Sequence, residues 1–258
     1  MHQARSRGVA PEFAEYRPYR QGDDPRRIDW KLLGRSDKAF IRLAPDHAVL
    51  GTTFIVDASA SMDFPIGPAG KWSLAKRLTV ALAAVAHASA DPVGLVIATG
   101  GGAQRLEARA RAGVVAEIAR TLDAVAPSGS ASLAPLVAGT KPRCVVLTDC
   151  LGDLEATRAA LARHHARGGE SHLLHLVARR ELDPGAIVIL AVDPEDPRCE
   201  RPLVDETRDA YRAAFAAWRA EVARAARADG IHYHELTDDG VTETLVRRIV
   251  APATEGQR

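Results

Sequence analysis

The stretch Leu50-Gly51-Thr52-Thr53-Phe54-Ile55-Val56-Asp57-Ala58-Ser59-Ala60-Ser61-Met62 decides the fold of this chain. Residues 50–56 are apolar and β-branched without alternation, the pattern of a strand buried on both faces. The run stops at an aspartate followed by small hydroxylated residues, which is loop chemistry. Residues 72–90 then carry Leu74, Leu78, Leu82, Val85 and Ala86 at helical spacing. The same succession recurs downstream. Residues 92–98, 144–148, 171–177, 186–192 and 231–236 read as strands, with a short further strand at 39–43. Residues 113–125, 133–138, 154–167, 205–228 and 241–250 read as helices. This alternation predicts an α/β architecture in three layers, a mostly parallel sheet with helices on both faces. Ligands of such folds bind at the carboxyl ends of the strands.

Three predicted loops converge there. The first supplies Asp57, Ser59 and Ser61. The second, after residues 144–148, supplies Asp149. The third, Ser128-Gly129-Ser130-Ala131-Ser132, supplies Ser130 and Ser132. Carboxylates and hydroxyls without nitrogen or sulfur suit a hard cation. Mg²⁺ takes oxygen ligands at about 2.0–2.1 Å and keeps several waters. Mn²⁺ and Ca²⁺ share that chemistry and are the alternatives. The plainer reading is that Asp57 and the serines cap the next element.

Composition removes other classes of function. The chain has 258 residues with 34 Lys and Arg against 33 Asp and Glu, a formal net charge of +1. A balance this close to zero argues against a polyanion binder. Aromatic residues are only 5 %, too few for base-stacking platforms. Three cysteines, an odd and sparse number, argue for a reducing compartment over a disulfide scaffold. Residues 1–20 are polar and Arg-rich, without the apolar core of a secretory signal, and no run is apolar enough to span a membrane. The expected location is cytoplasmic. Gly100-Gly101-Gly102 is a turn with no following Gly-Lys-Ser/Thr, so it is not a phosphate-binding P-loop. Cys144, Cys150 and Cys199 lack zinc spacing. His172 and His175 fall on opposite faces of a strand, and His232 and His234 share a face without a third ligand evident in the sequence.

Asp57-x-Ser59-x-Ser61 resembles the metal-ion-dependent adhesion site of von Willebrand factor type A domains, with Asp149 matching the later aspartate of that motif. Ala131 stands where the middle loop of the motif has threonine, and Ser130 and Ser132 are the candidates to substitute for it. The amino-terminal run Arg17-x-Tyr19-x-x-Gly22-Asp23-Asp24-x-Arg26-x-Ile28-Asp29-Trp30 resembles the signature of the bacterial "domain of unknown function 58" family. So do Asp193-Pro194-Glu195, Pro202, Asp205, Thr207 and the helix containing Tyr211. The resemblance covers nearly the whole chain. It implies an Arg/Asp-rich segment, residues 1–47, packing on a von Willebrand A-like domain, residues 48–251, with a disordered tail at 252–258. It also implies association with MoxR-type AAA+ ATPases.

The reading that unites these features is a non-enzymatic, metal-dependent protein-binding module. Mg²⁺ at Asp57, Ser59, Ser61 and Asp149 would accept a carboxylate from the ATPase or its client. Arg17, Tyr19, Asp23, Asp24, Arg26, Asp29 and Trp30 would add contact area, since Trp, Tyr and Arg dominate interface energetics. Two other readings stay open. One is a Mg²⁺-dependent phosphohydrolase with Asp57 as nucleophile, although Ser59 stands where a general-acid aspartate is needed. The other is a scaffold whose metal site has decayed at Ala131.

Overall fold

The computed structural model describes residues 15–20, 25, 28–36, 38–43, 50–140, 142–185, 189–192, 198 and 200–251. They fall into two compact units, Met1–Ala48 and Val49–Arg258. Residues 252–258, expected as a tail, lie outside the described set.

In the first unit, strands β1 (Glu15–Pro18) and β2 (Phe40–Leu43) pair antiparallel around helix α1 (Trp30–Ser36). Asp29 starts that helix, its Oδ1 accepting from the backbone N–H groups of Lys31 and Leu32 at 3.0 and 2.9 Å. This is a side-chain cap on otherwise unpaired helix donors.

The second unit is built on β3 (Thr52–Asp57), β4 (Val93–Thr99), β5 (Gly102–Arg109), β6 (Arg143–Thr148), β7 (Glu170–Val177) and β10 (His232–Thr237). They form one sheet in the order β10-β7-β6-β3-β4-β5. All neighbours are parallel except β4 and β5. The helices are α2 (Lys71–Ala88), α3 (Val114–Asp123), α4 (Ala134–Val137), α5 (Leu154–Ala166), α6 (Arg179–Leu182), α7 (Asp205–Ala228) and α8 (Thr242–Val250). Alternate strand residues feed two cores. Phe54, Val56, Leu95, Ile97 and Leu147 pack with Leu78 and Leu82 of α2 and Ile118 of α3. Ile55, Val96, Val146 and Leu173 pack with Leu161 of α5 and Val222 and Ala226 of α7. Burial on both faces explains the unbroken apolar runs of the central strands.

Two expectations need correction. Residues 102–109, read only as following a turn, form the antiparallel edge strand β5. Its residues are mostly exposed, with Arg105, Glu107 and Arg109 around the half-buried Leu106, so it carries no buried-strand signature. The strand expected at 186–192 is seen as β8 (Ile189–Val192), and 186–188 lie outside the described residues. β8 does not join the main sheet. It pairs antiparallel with β9 (Glu200–Leu203) as a separate two-stranded ribbon. No helix among the described residues is long and apolar enough to cross a membrane.

The sheet order locates the functional edge. The chain passes from β3 to β4 on one side and later enters β6 on the other side of β3. The order therefore reverses between β3 and β6, and their carboxyl ends flank the crevice where open α/β sheets bind ligands. Stability rests on the helix layers that hold these strands. Leu78 is fully buried between α2 and the sheet. Leu78→Ala is expected to lower unfolding stability by about 2–5 kcal/mol, seen as a lower urea midpoint with an unchanged slope.

Candidate functional site

Asp57 is the last residue of β3 and is buried. Its Oδ1 accepts from the Ser59 backbone N–H at 2.9 Å and its Oδ2 from the Thr148 hydroxyl at 2.7 Å. Thr148 ends β6, and its Oγ1 also accepts from the Cys150 N–H at 3.1 Å. The two strand ends are thus pinned through one carboxylate. Ser59 and Ser61 are buried, and their hydroxyls lie 3.2 Å apart. The 3-10 turn Ala60–Asp63 carries Ser61 into this position.

The loop at 128–132 reaches this place through its backbone. The Ser128 N–H donates to the Ala58 carbonyl at 2.9 Å, and the Ala60 N–H donates to the Gly129 carbonyl at 2.8 Å. Gly100 makes the approach possible, because a Cβ there would sit 2.9 Å from the Gly129 Cα. The glycine run is more than a turn at this end. Ala131 lines the small cavity that Asp57 and Thr148 also line, and it offers a methyl group there. Ser130 and Ser132 are exposed on either side of it.

Asp149, directly after β6, is buried. Its Oδ1 accepts from the Leu151 N–H at 3.2 Å, and its Oδ2 is 2.8 Å from the Nζ of Lys71. Lys71 is 0 % exposed and begins α2. The same Nζ lies 2.6 Å from Oε1 of Glu181 on α6. Glu181 turns its other oxygen to the Ala178 N–H at 2.7 Å, and its carbonyl accepts from the Tyr211 hydroxyl of α7 at 2.9 Å. Gly70 sets the lysine in place. A Cβ at Gly70 would lie 2.1 Å from the Pro65 carbonyl oxygen, and the Lys71 N–H donates to the Phe64 carbonyl at 3.2 Å.

The electrostatics follow from burial. Desolvation works against the Lys71 charge, but Asp149 and Glu181 outweigh it and hold its ammonium above the ordinary lysine range. Burial pushes the Glu181 carboxyl up, with Lys71 opposing. Burial likewise pushes Asp57 up; the Thr148 hydrogen bond opposes this and the Asp149 charge adds to it. Three carboxyl groups, Asp57, Asp149 and Glu181, meet one ammonium here. The Asp57 and Asp149 carboxyl groups and the paired hydroxyls of Ser59 and Ser61 offer oxygen donors of the kind a hard divalent cation takes, while the buried His175 imidazole stands against the Asp149 backbone. Ala131 supplies no ligand to such a cation.

Asp57, Ser59 and Ser61 lie at and just after the end of β3 and Asp149 directly after the neighbouring β6, with Ser130 and Ser132 exposed. Lys71, Thr148 and Glu181 escaped the sequence pattern. Lys71 did carry a signal, since a basic residue in the first turn opposes the helix dipole and calls for an anion nearby. Of the amino-terminal group, Arg17 and Tyr19 are half-buried, Asp29 caps α1, and Trp30 is 64 % exposed. Asp23, Asp24 and Arg26 lie outside the described residues.

Removing one partner from a buried ion pair strands the others. Lys71→Met is expected to cost about 3–5 kcal/mol of stability by chemical denaturation, and adding Asp149→Asn is expected to recover part of it.

Comparison with known proteins places these features. A family model described as protein of unknown function DUF58 matches residues 15–226. The uncharacterized proteins Mb1516 of Mycobacterium bovis and Rv1480 of Mycobacterium tuberculosis are each 29 % identical over 273 residues, spanning 96 % of this chain and 81 % of theirs. Among solved structures, the conserved hypothetical protein BatB from Bacteroides thetaiotaomicron aligns with TM-score 0.50 at 14 % identity, over 78 % of this chain and 95 % of that one. The SpRpn10 VWA domain aligns with TM-score 0.46 at 12 % identity, over 78 % of this chain and 95 % of that one.

Proposed function

The chain belongs to the DUF58 family and has a von Willebrand A-like fold, and from that premise we propose that its β3/β6 edge is a cation-dependent docking site for an acidic segment of a protein partner. The observation that carries this reading is the pair of buried carboxyl groups, Asp57 and Asp149, beside the adjoining Ser59 and Ser61 hydroxyls at the point where the strand order reverses. Asp57, Ser59 and Ser61 would hold Mg²⁺, with Asp149 beside them. When bound, the ion supplies an open coordination position that a partner carboxylate can fill.

The chain's own residues do the rest. Thr148 and the Ser59 N–H orient Asp57. Lys71 neutralises Asp149 and ties its loop to α2 and α6. Apolar side chains lie exposed in the same loops: Phe64 and Ile66 between Ser61 and Lys71, and Leu151 two residues after Asp149. Ile66 is 87 % exposed. Covering a side chain of that size contributes about 1.5–3 kcal/mol, so the apolar rim sets affinity while the ion sets orientation. Ser59 stands where a phosphohydrolase needs a second aspartate, so the site is read as binding without turnover. The family resemblance makes a MoxR-type AAA+ ATPase, or its client, the partner to test.

Two measurements test this. A thermal melt of the metal-free protein is expected to rise by several degrees with Mg²⁺ at a hundredfold excess over its dissociation constant, a gain of about 2.7 kcal/mol. Asp57→Ala is expected to abolish the rise; an equal rise in that variant would sink the assignment of the ion. Binding to the purified ATPase is expected to weaken at least tenfold in Asp57→Ala and again in Ile66→Asp. Affinity unchanged in both would remove this edge as the docking site.

A further inference from the structure

The amino-terminal edge of the same sheet, at the far end of the strands from Asp57, holds a second set of donors. The parallel register pairs His172 of β7 with His232 of β10, and Leu174 with His234. The two-residue pleat places Glu170 on the same face as His172. Three imidazoles and a carboxylate therefore share one patch of one face. The His172 and His232 rings stack at 4.8 Å between centroids, and His234 lies 6.3 Å from His172.

Within the patch, the Nε2 of His172 is 2.8 Å from Oε1 of Glu170. Arg143 donates its Nε–H to the other oxygen, Oε2, at 2.9 Å, and its Nη1 is 3.6 Å from Oδ2 of Asp91. One donor atom each from Glu170, His172 and His232 lies within 4.8 Å of the others. His172 is only 8 % exposed, and its Nδ1 is buried with no hydrogen-bond partner among the described residues. The unpaired atom is Nδ1, on the other side of the ring from the Nε2 that meets Glu170. A cavity of about 300 Å³ adjoins it, lined in part by Asp91, Arg143, Glu170 and His172. His232 is exposed, so the patch opens to solvent.

We propose that Glu170, His172 and His232 form a binding site for a transition-metal dication of the Zn²⁺ class, separate from the Asp57 site. The donor set selects the ion. Two imidazole nitrogens and one carboxylate oxygen suit Zn²⁺ and its neighbours, whereas Mg²⁺ and Ca²⁺ take oxygen. Tetrahedral Zn²⁺ with bonds of about 2.1 Å holds its donor atoms about 3.4 Å apart, so the 2.8 Å hydrogen bond between Glu170 and His172 has to give up its proton and open by a few tenths of an ångström to admit the ion. Bringing in the exposed His232 takes a side-chain rotation. Arg143 fixes the carboxylate from outside, the part that outer hydrogen bonds play in built metal sites. Three protein ligands leave a position open to water. A bound ion would clip the edge strand β10 to β7.

The test is a titration of the metal-free, tagless full-length chain with Zn²⁺ by calorimetry, and with Co²⁺ by its ligand-field absorption. One ion per chain is expected. Affinity is expected to fall at least tenfold in Glu170→Gln, His172→Gln and His232→Gln and to survive Asp57→Ala. His232 is exposed, so His232→Gln reads out the site even where His172→Gln disturbs the core. Zn²⁺ affinity unchanged in His232→Gln, or lost in Asp57→Ala and kept in His232→Gln, would overturn the assignment.

Discussion

An ammonium sealed from water has to be met by anions, and Lys71 meets them at Asp149 and Glu181. Its partners lie 78 and 110 residues away in the chain. One side chain therefore ties together the start of α2, the end of β6 and the short helix α6. The Tyr211 hydroxyl on the Glu181 carbonyl extends the tie to α7. The position of Lys71 rests in turn on Gly70, where only hydrogen fits beneath the Pro65 carbonyl. Burying a charge is costly, and an ion pair does not return that cost as a matter of course. What this pair contributes is position. It holds one oxygen of Asp149, while the Leu151 N–H holds the other, and so fixes that carboxyl group at the end of β6 next to the β3 end that carries Asp57.

The central strands and the first site residues were legible for one reason. A strand buried on both faces leaves an unbroken apolar run, and the polar residues that end it are the ones at the carboxyl edge. Asp57, Ser59, Ser61 and Asp149 are read that way. Lys71 and Glu181 were not, because their meeting is made by tertiary packing and neither neighbourhood in sequence names the other. β5 was missed because an exposed edge strand has no apolar pattern beyond Leu106. β8 was expected in the main sheet because its apolar run does not say which strand it pairs with, and its partner β9 contains a proline at 202. The histidines show the same limit. His232 and His234 lacked a third ligand until the register laid His172 and Glu170 alongside them.

The two ends of the sheet hold different donors. The carboxyl edge gathers carboxyl and hydroxyl oxygens, buried at the ends of β3 and β6 and in the loops that follow them. The amino edge gathers imidazoles in a patch that is half within the sheet. The first set is of the kind that hard cations take and the second of the kind that borderline cations take, and the length of the strands separates them.

β5 has one more consequence. The sheet ends there in a strand whose outer residues include Arg105, Glu107 and Arg109, and whose pairing with β4 slips between Val93 and Leu95. Charges and an irregular register are what blunt an open sheet edge. Growth of the sheet by addition of a strand from another molecule is disfavoured on that side. The opposite edge of the sheet is β10, so the two edges of one sheet are not equally open to pairing.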